Sequence, residues 1–386
     1  MTDITTPGSN TRLCHVGHDP LAWHGFVNPP VVRGSTVFFP DAETLRTDNQ
    51  KYTYGTHGTP TTDALCEAID RLEGAAGTVL VPSGLAAVTL PLLTFLSAGD
   101  HVLITDSVYG PTRRFANDVL VRMGIAVEYY DPRIGGGIAA LFREETRVVF
   151  MESPGSNTFE VQDVPAIAAA AKARGIVTMI DNCWATPLFF RPLDHGVDIV
   201  IHAATKYFGG HSDVLMGTIS ANEATWKRLY RGHMVFGLCV SSDDAWLVLR
   251  GLRTMGRRLE VQQATTLEIA RWLAGRAEVA QVFHPALESD PGHALWRRDF
   301  SGSSSLFSFA LRPGFDPARF LNALRIFAMG YSYGGFESLA VQVNLRDRVF
   351  RRPEFDQPII RLQIGLEDVG DLIVDLDQAL AAAGDL

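Results

Sequence analysis

The sequence predicts an α/β protein with a mostly parallel central sheet and a smaller α+β domain at its C-terminal end. Three observations carry this. From about residue 60, short runs rich in Val and Ile alternate with helical patterns, the rhythm of parallel strands joined by helical crossovers. Those runs are apolar throughout, as strands buried on both faces are. The chain has 386 residues and is 46% hydrophobic, which is more core than one small domain uses.

Residues 1 to about 50 are rich in Pro, Gly, Asn and Asp and read as an irregular arm. A helix over DALCEAIDRLEG (63–74) leads into a buried strand at 78–81, a turn at Pro82-Ser83-Gly84 and a buried helix. The apolar stretch from Thr78 to Ala98 has the length of a membrane span, but Pro82, Ser83, Gly84 and Pro91 interrupt it and Asp100 closes it. Next come strand HVLIT, helix TRRFANDVLVRMG, strands VEYY and RVVFM, helix VPAIAAAAKARG, and strands VTMID and VDIVIHA. The cluster Gly135-Gly136-Gly137 reads as a loop. A long amphipathic helix covers 241–275. Strand LFSFALR, a helix at 316–325, strand IIRLQIGLE and a terminal helix over DVGDLIVDLDQALAAAG make up the smaller domain.

The net charge of −9 sets the surface against phosphate backbones, so nucleic acid is not an expected partner. No basic run suits a membrane surface. Cys14, Cys66, Cys183 and Cys239 are scattered and form no CxxC pair, which argues against a disulfide framework or a metal site and for a reducing, cytoplasmic setting. The N-terminus lacks the apolar core of a signal peptide.

In open parallel sheets, ligands bind beyond the carboxyl ends of the strands. Ser83, Gly84, Tyr109, Glu152, Asp181, Thr205 and Lys206 all fall there, though far apart in sequence. Lys206 follows a Val/Ile strand in the context HAATKYFGGHSD. Most lysines lie solvated on turns, but one at a buried strand end is costly unless paired or chemically used. Asp181 is either a turn cap or a counter-ion for a protonated ring nitrogen. At 4 Å and an effective dielectric of about 20, that pairing is worth roughly 4 kcal/mol, or about three pK units. Gly84 opens a helix whose first amides suit an anion. Tyr109 is either a half-buried core residue or a stacking partner for an aromatic ring. Neither GxxxxGK[ST] nor a post-strand GxGxxG occurs, and Cys and His have no metal-ligand spacing.

The ordered set YGTHGTPT, PSGLAAV, DSVYGPT, ESPGSNTFEVQDVPAIA, MIDNCWATP, AATKYFGGHSD, RGLRTMGRRL, YSYGGFESL and IRLQIGLEDVGDL resembles the cysteine/methionine-metabolism family of pyridoxal-phosphate (PLP) enzymes, nearest its carbon–sulfur β-lyases. The likeness covers nearly the whole chain. It implies an aspartate-aminotransferase-like fold (fold type I) and a homotetramer built as a dimer of dimers. It also implies an arm (1–55) that serves the neighbouring subunit's site, a PLP-binding domain (56–245) and a C-terminal domain (246–386). Lys206 would hold PLP covalently, Asp181 would bind the pyridine nitrogen, and Tyr109 would stack on the ring. The backbone of Gly84 and Leu85, with the Thr205 hydroxyl, would hold the phosphate. Tyr54 would reach the neighbouring subunit's phosphate and, with Tyr109, stand among the catalytic groups. Arg361 would clamp the substrate carboxylate; Ser332 would steer the lysine; Tyr331 and Tyr333 would wall the pocket.

The chain departs from the family pattern in places. Where Y-x-R is usual, Thr56 stands in place of the phosphate-binding arginine. The adjacent His57 is either a substitute cation or an ordinary loop residue. Ser156 stands where many relatives have asparagine. Tyr333 stands where the lyase subgroup often has Trp. Tyr331 is aromatic where γ-acting relatives carry glutamate. Three functions follow for testing: β-cleavage of L-cystathionine, cystine or other cysteine S-conjugates; a γ-acting lyase, synthase or sulfhydrylase; and a non-catalytic scaffold. The substrate expected is a small sulfur amino acid.

Overall fold

The computed structural model describes residues 7–17 and 19–384. Seven strands form the larger sheet: β1 (Gly77–Val81), β2 (His101–Thr105), β3 (Ala126–Tyr130), β4 (Thr146–Glu152), β5 (Val177–Asp181), β6 (Ile199–Ala203) and β7 (Gly217–Ala221), in the order β1-β7-β6-β5-β4-β2-β3. Strands β2 to β6 pair in parallel, and β7 runs antiparallel between β1 and β6. No strand is expected at GTISA (217–221) from the sequence, because Gly, Thr and Ser weaken its pattern. The segment after β6 is turns rather than a crossover helix, so the chain folds back and an antiparallel strand results. Val, Ile, Met and Phe of β2, β4 and β6, and Met179 and Ile180 of β5, are fully buried, as strands covered on both faces require.

The helix Ser242–Ala274 runs 33 residues, about 50 Å. The boundary drawn at 245/246 falls in its first turn. Its first half packs on the helices Pro60–Glu73 and Ser9–His15, and its second half on the smaller sheet. That sheet contains β8 (Val279–Phe283), β9 (Leu306–Leu311), β10 (Ala328–Met329), β11 (Leu339–Gln342) and β12 (Ile359–Gln363), ordered β10-β11-β12-β9-β8. The terminal helix Val369–Ala383 covers it, burying Leu372, Leu376 and Leu380.

Two local expectations are corrected. Gly135–Leu141 is a 3-10 helix rather than an open loop; Gly135 turns into it at φ +52° and Ile138 is buried in the core. The arm carries two short helices, Ser9–His15 and Ala42–Thr47. The second is capped by Asp41, whose side chain accepts from Thr44 N–H, and it ends on Asp48 in the left-handed conformation.

The loop between β11 and β12 is clamped to the larger domain by buried charge. Asp106, fully buried, accepts from Arg113 (2.5 Å) and from the backbone N–H groups of Val349 (3.0 Å) and Phe350 (2.8 Å). Arg348 meets Glu160 at 3.2 Å and donates to Thr158, and Arg352 reaches Asp131 at 2.7 Å. Removing one member of such a cluster costs about 3–5 kcal/mol, because its partner is left charged and buried. The same contacts hold the Ser156–Glu160 turn against the strand ends.

Candidate active site

The carboxyl ends of β1, β2, β4, β5 and β6 open on one edge of the sheet, and the residues singled out from the sequence stand there. Ser83 caps the helix Gly84–Phe95, its hydroxyl accepting from Ala86 N–H at 3.1 Å. The amides of Gly84 and Leu85 belong to the first turn, where a helix offers them no acceptor. A Cβ on Gly84 would come within 2.5 Å of the Ala203 Cβ, so only glycine lets this helix seat against β6. Thr205 exchanges hydrogen bonds with Met216, accepting from its N–H (3.1 Å) and donating to its carbonyl (3.3 Å).

Lys206 Nζ donates to Ser332 Oγ at 2.7 Å and lies 4.7 Å from the centre of the Tyr333 ring. Ser332 has φ +117°, a strained conformation for a side-chain-bearing residue, and it is held there at the point of contact with the lysine. Burial pulls the Lys206 amine from 10.5 to about 8. An ordinary lysine is almost wholly charged at pH 7; this shift raises the neutral, nucleophilic fraction roughly 300-fold. The unfolded chain binds the extra proton between pH 8 and 10.5. The penalty is therefore present in full below pH 8, and stability is regained as pH rises through that window. The rate at which the apo-protein takes up an aldehyde at Lys206 is expected to rise to a plateau just above pH 8. Stopped-flow absorbance against pH checks this; a rate still climbing to pH 10 would contradict it.

Asp181 ends β5 beside Glu152 at the end of β4. Asp181 Oδ1 accepts from Cys183 N–H (2.9 Å), and the Cys183 thiol also hydrogen-bonds its carboxylate. Glu152 Oε2 accepts from Tyr109 N–H (2.7 Å). The Tyr109 side chain is 44% exposed, leaving its ring available for a planar ligand. Arg361, on β12 of the smaller sheet, donates to Asn157 Oδ1 at 3.3 Å. Asn157 (φ +67°) was not singled out from the sequence, although an asparagine in a Gly-Ser-Asn turn is a left-handed signal. Tyr331 is 88% exposed at the rim.

Tyr54 and Thr56 stand apart from this group. Tyr54 pairs with Thr36 in an isolated antiparallel bridge, is 49% exposed, and makes no contact with the Lys206 cluster among the described residues. His57 Nδ1 is 2.6 Å from Thr53 Oγ1. A cavity of about 820 Å³ lies elsewhere, between the arm (Trp23, Phe26, Val27) and Asp63 and Glu67. Its Lys51 and Asp63 are already paired at 2.7 Å, and it contains none of the strand-end residues. Chemistry, not volume, locates the site.

A lone amine with a depressed pKa, a carboxylate at the end of β5, a glycine-cleared helix start and an exposed tyrosine fit a phosphorylated, cationic, aromatic aldehyde. On this fold they define a fold type I PLP-dependent enzyme. Residues 10–381 match the family described as Cys/Met metabolism PLP-dependent enzyme, and the chain belongs to it. It is 60% identical over 386 residues to a putative cystathionine beta-lyase of Rhizobium johnstonii, with 98% of each chain covered. It is 42% identical to cystathionine beta-lyase MetC of Escherichia coli, over 96% of this chain and 98% of the relative. Its structure superposes with a TM-score of 0.91 on cystathionine gamma-lyase of Lactobacillus plantarum complexed with L-serine, at 29% identity over 98% of this chain and 99% of the other.

Proposed function

We propose that the protein cleaves the Cβ–S bond of L-cystathionine to homocysteine, pyruvate and ammonia, with cystine and other cysteine S-conjugates as further substrates. The observation that carries the reading is 60% identity to a putative β-lyase over 98% of each chain, together with the Tyr333 ring 4.7 Å from the lysine. When bound, PLP supplies an aldehyde for the substrate amine and a ring that withdraws electrons from Cα. Lys206 Nζ, aimed by Ser332 Oγ, takes the Cα proton and is placed to return a proton to the departing sulfur, with Tyr109 or Tyr54 as the second donor. Arg361, oriented by Asn157, holds the α-carboxylate. Asp181 would hold the ring nitrogen and Tyr109 would stack on the ring, with Thr205, Gly84 and Leu85 holding the phosphate. A glutamate at position 331 would attract a distal amino group and favour γ-chemistry; Tyr331 does not. Incubation with L-cystathionine and separation of the keto acids tests the reading. Pyruvate with homocysteine is expected; 2-oxobutyrate with cysteine as main products would overturn it.

The working unit in this reading is a cytoplasmic homotetramer, a dimer of dimers, in which the arm (1–55) of one subunit serves the site of the next. Exposed Leu21, Phe26, Phe38 and Tyr54 on the arm support it, and among the described residues no helix is long and apolar enough to cross a membrane. The division into residues 56–245 and 246–386 stands within the same proposal. Thr56 leaves the neighbour's phosphate one arginine short. Thr56→Arg is expected to tighten PLP about ten- to a hundredfold, the worth of one charge-assisted bond of roughly 1.5–3 kcal/mol. His57→Ala is expected to loosen it. Titration of PLP into the apo-protein measures both, and no change in either would remove this segment from the phosphate site.

A further inference from the structure

Two carboxylates meet at the floor of the site, and the reaction proposed above uses only one. Glu152 and Asp181 are register partners at the ends of adjacent parallel strands. Strands in a sheet lie about 4.8 Å apart, and partners in register project to the same face. The surrounding charges do not neutralise the pair. Lys206 and His202 face Asp181, Arg348 faces Glu152, and Arg361 lies beside Tyr109 and Lys206, but none comes within ion-pair distance of either carboxylate among the described residues. Arg348 is engaged with Glu160 and Thr158, His202 with Glu73, Lys206 with Ser332, and Arg361 with Asn157. The neighbouring thiol of Cys183, which accepts from Ala203 N–H at 2.9 Å, and the Tyr109 phenol add no positive charge.

Like charges this close, in a buried site, hold a proton between them. The donors decide where it sits. Asp181 accepts from the N–H and the thiol of Cys183, donors that favour its charged form. Among the described residues the Glu152 side chain receives only the Tyr109 backbone N–H, a bond that a protonated carboxyl still accepts through its other oxygen. The geometry points to Glu152 as a positioning residue that works in its protonated form, anchoring the backbone of Tyr109 while leaving Asp181 the only charged carboxylate beneath the cofactor. Burial pushes the Glu152 carboxyl well above the usual carboxylate range, in agreement. Tyr109 begins the short helix Gly110–Phe115 without any side-chain cap, so the Glu152 contact is what ties its backbone to the sheet. The neutral acid also keeps one negative charge matched to one positive charge on the bound ring.

This inference rests on assigning Asp181 and Tyr109 to the ring, and the test separates the two. Full-length apo-protein, Glu152→Gln and Glu152→Ala are compared. The infrared difference between wild type and Glu152→Gln at pH 7.5, recorded without cofactor, is expected to show the carbonyl band of a protonated carboxyl. Glutamine keeps the acceptor for Tyr109 and mimics the neutral acid, so its PLP dissociation constant is expected within threefold of wild type. Alanine is expected to raise it at least tenfold, and far-UV circular dichroism establishes that each variant is folded. Absence of the band, or a tenfold loss in Glu152→Gln, would overturn the proposal. If Glu152→Ala does not fold, those two arms still decide it. If Asp181→Asn and Tyr109→Ala both bound PLP like wild type, the underlying assignment would fail, whatever the infrared band shows.

Discussion

Alanine in place of Lys206 is expected to abolish covalent cofactor attachment and to cut turnover at least about 10⁴-fold, while leaving the protein folded. The chain contains four lysines, Lys51, Lys172, Lys206 and Lys227. Lys51 is paired with Asp63 on the arm, and Lys172 and Lys227 lie on the outer helices Val164–Lys172 and Glu223–Phe236. No other amine can take over at Ser332. General acid–base catalysis alone contributes about 10²–10⁴-fold, and losing the nucleophile removes a second contribution. The fold should tolerate the change: the amine is held roughly 2.5 pK units below its ordinary value, a penalty of about 3 kcal/mol at neutral pH that alanine relieves. Lost methylene packing offsets part of this. Visible absorbance after PLP addition, pyruvate release and a thermal melt check the three parts. Near-normal turnover would end the assignment.

Much of this was legible in the sequence, for reasons that differ by residue. Asp181, Glu152 and Lys206 stand out because each breaks a continuous apolar run at its carboxyl end, and a buried parallel sheet makes that end the binding edge. Arg361 is different. It sits mid-strand on β12, and only the packing of the smaller sheet against the Ser156–Glu160 turn brings it to the site, which local periodicity cannot reveal. Asn157 was missed for the same reason: its partner is 204 residues away. The strain at Ser332 leaves no mark on composition. Strand β10 has two residues, and β7 is built of Gly, Thr, Ile, Ser and Ala, so neither offers a period to read. The arm helices are too short for amphipathicity to show; the second carries a cap signal at Asp41, and the first has no side-chain cap.

Asp181→Asn is expected to have opposite effects on the empty and loaded protein. Asparagine preserves the shape and the acceptor for Cys183 N–H but removes the charge that, in the proposed site, would face the ring nitrogen. A carboxylate about 4 Å from that nitrogen contributes roughly 4 kcal/mol at an effective dielectric near 20, or about three pK units of ring basicity. Without it the ring is largely neutral at pH 7, its pull on the Cα electrons weakens, and the rate should fall about 10³-fold, with looser PLP binding. In the apo-protein the sign reverses. Burial raises the Asp181 carboxyl above its ordinary value, so keeping it ionised costs the folded state free energy that the unfolded chain does not spend. That group costs stability at neutral pH, and the cost fades as pH falls below the unfolded carboxylate range. Asparagine removes it. Apo Asp181→Asn should therefore melt a few degrees above apo wild type at pH 7.5 and converge with it in acid, while the loaded variant melts below loaded wild type. Calorimetry of both forms at two pH values measures the crossing. An asparagine variant that kept wild-type turnover, or that lost stability in the apo form, would show that Asp181 is a structural carboxylate and not the counter-ion of the cofactor.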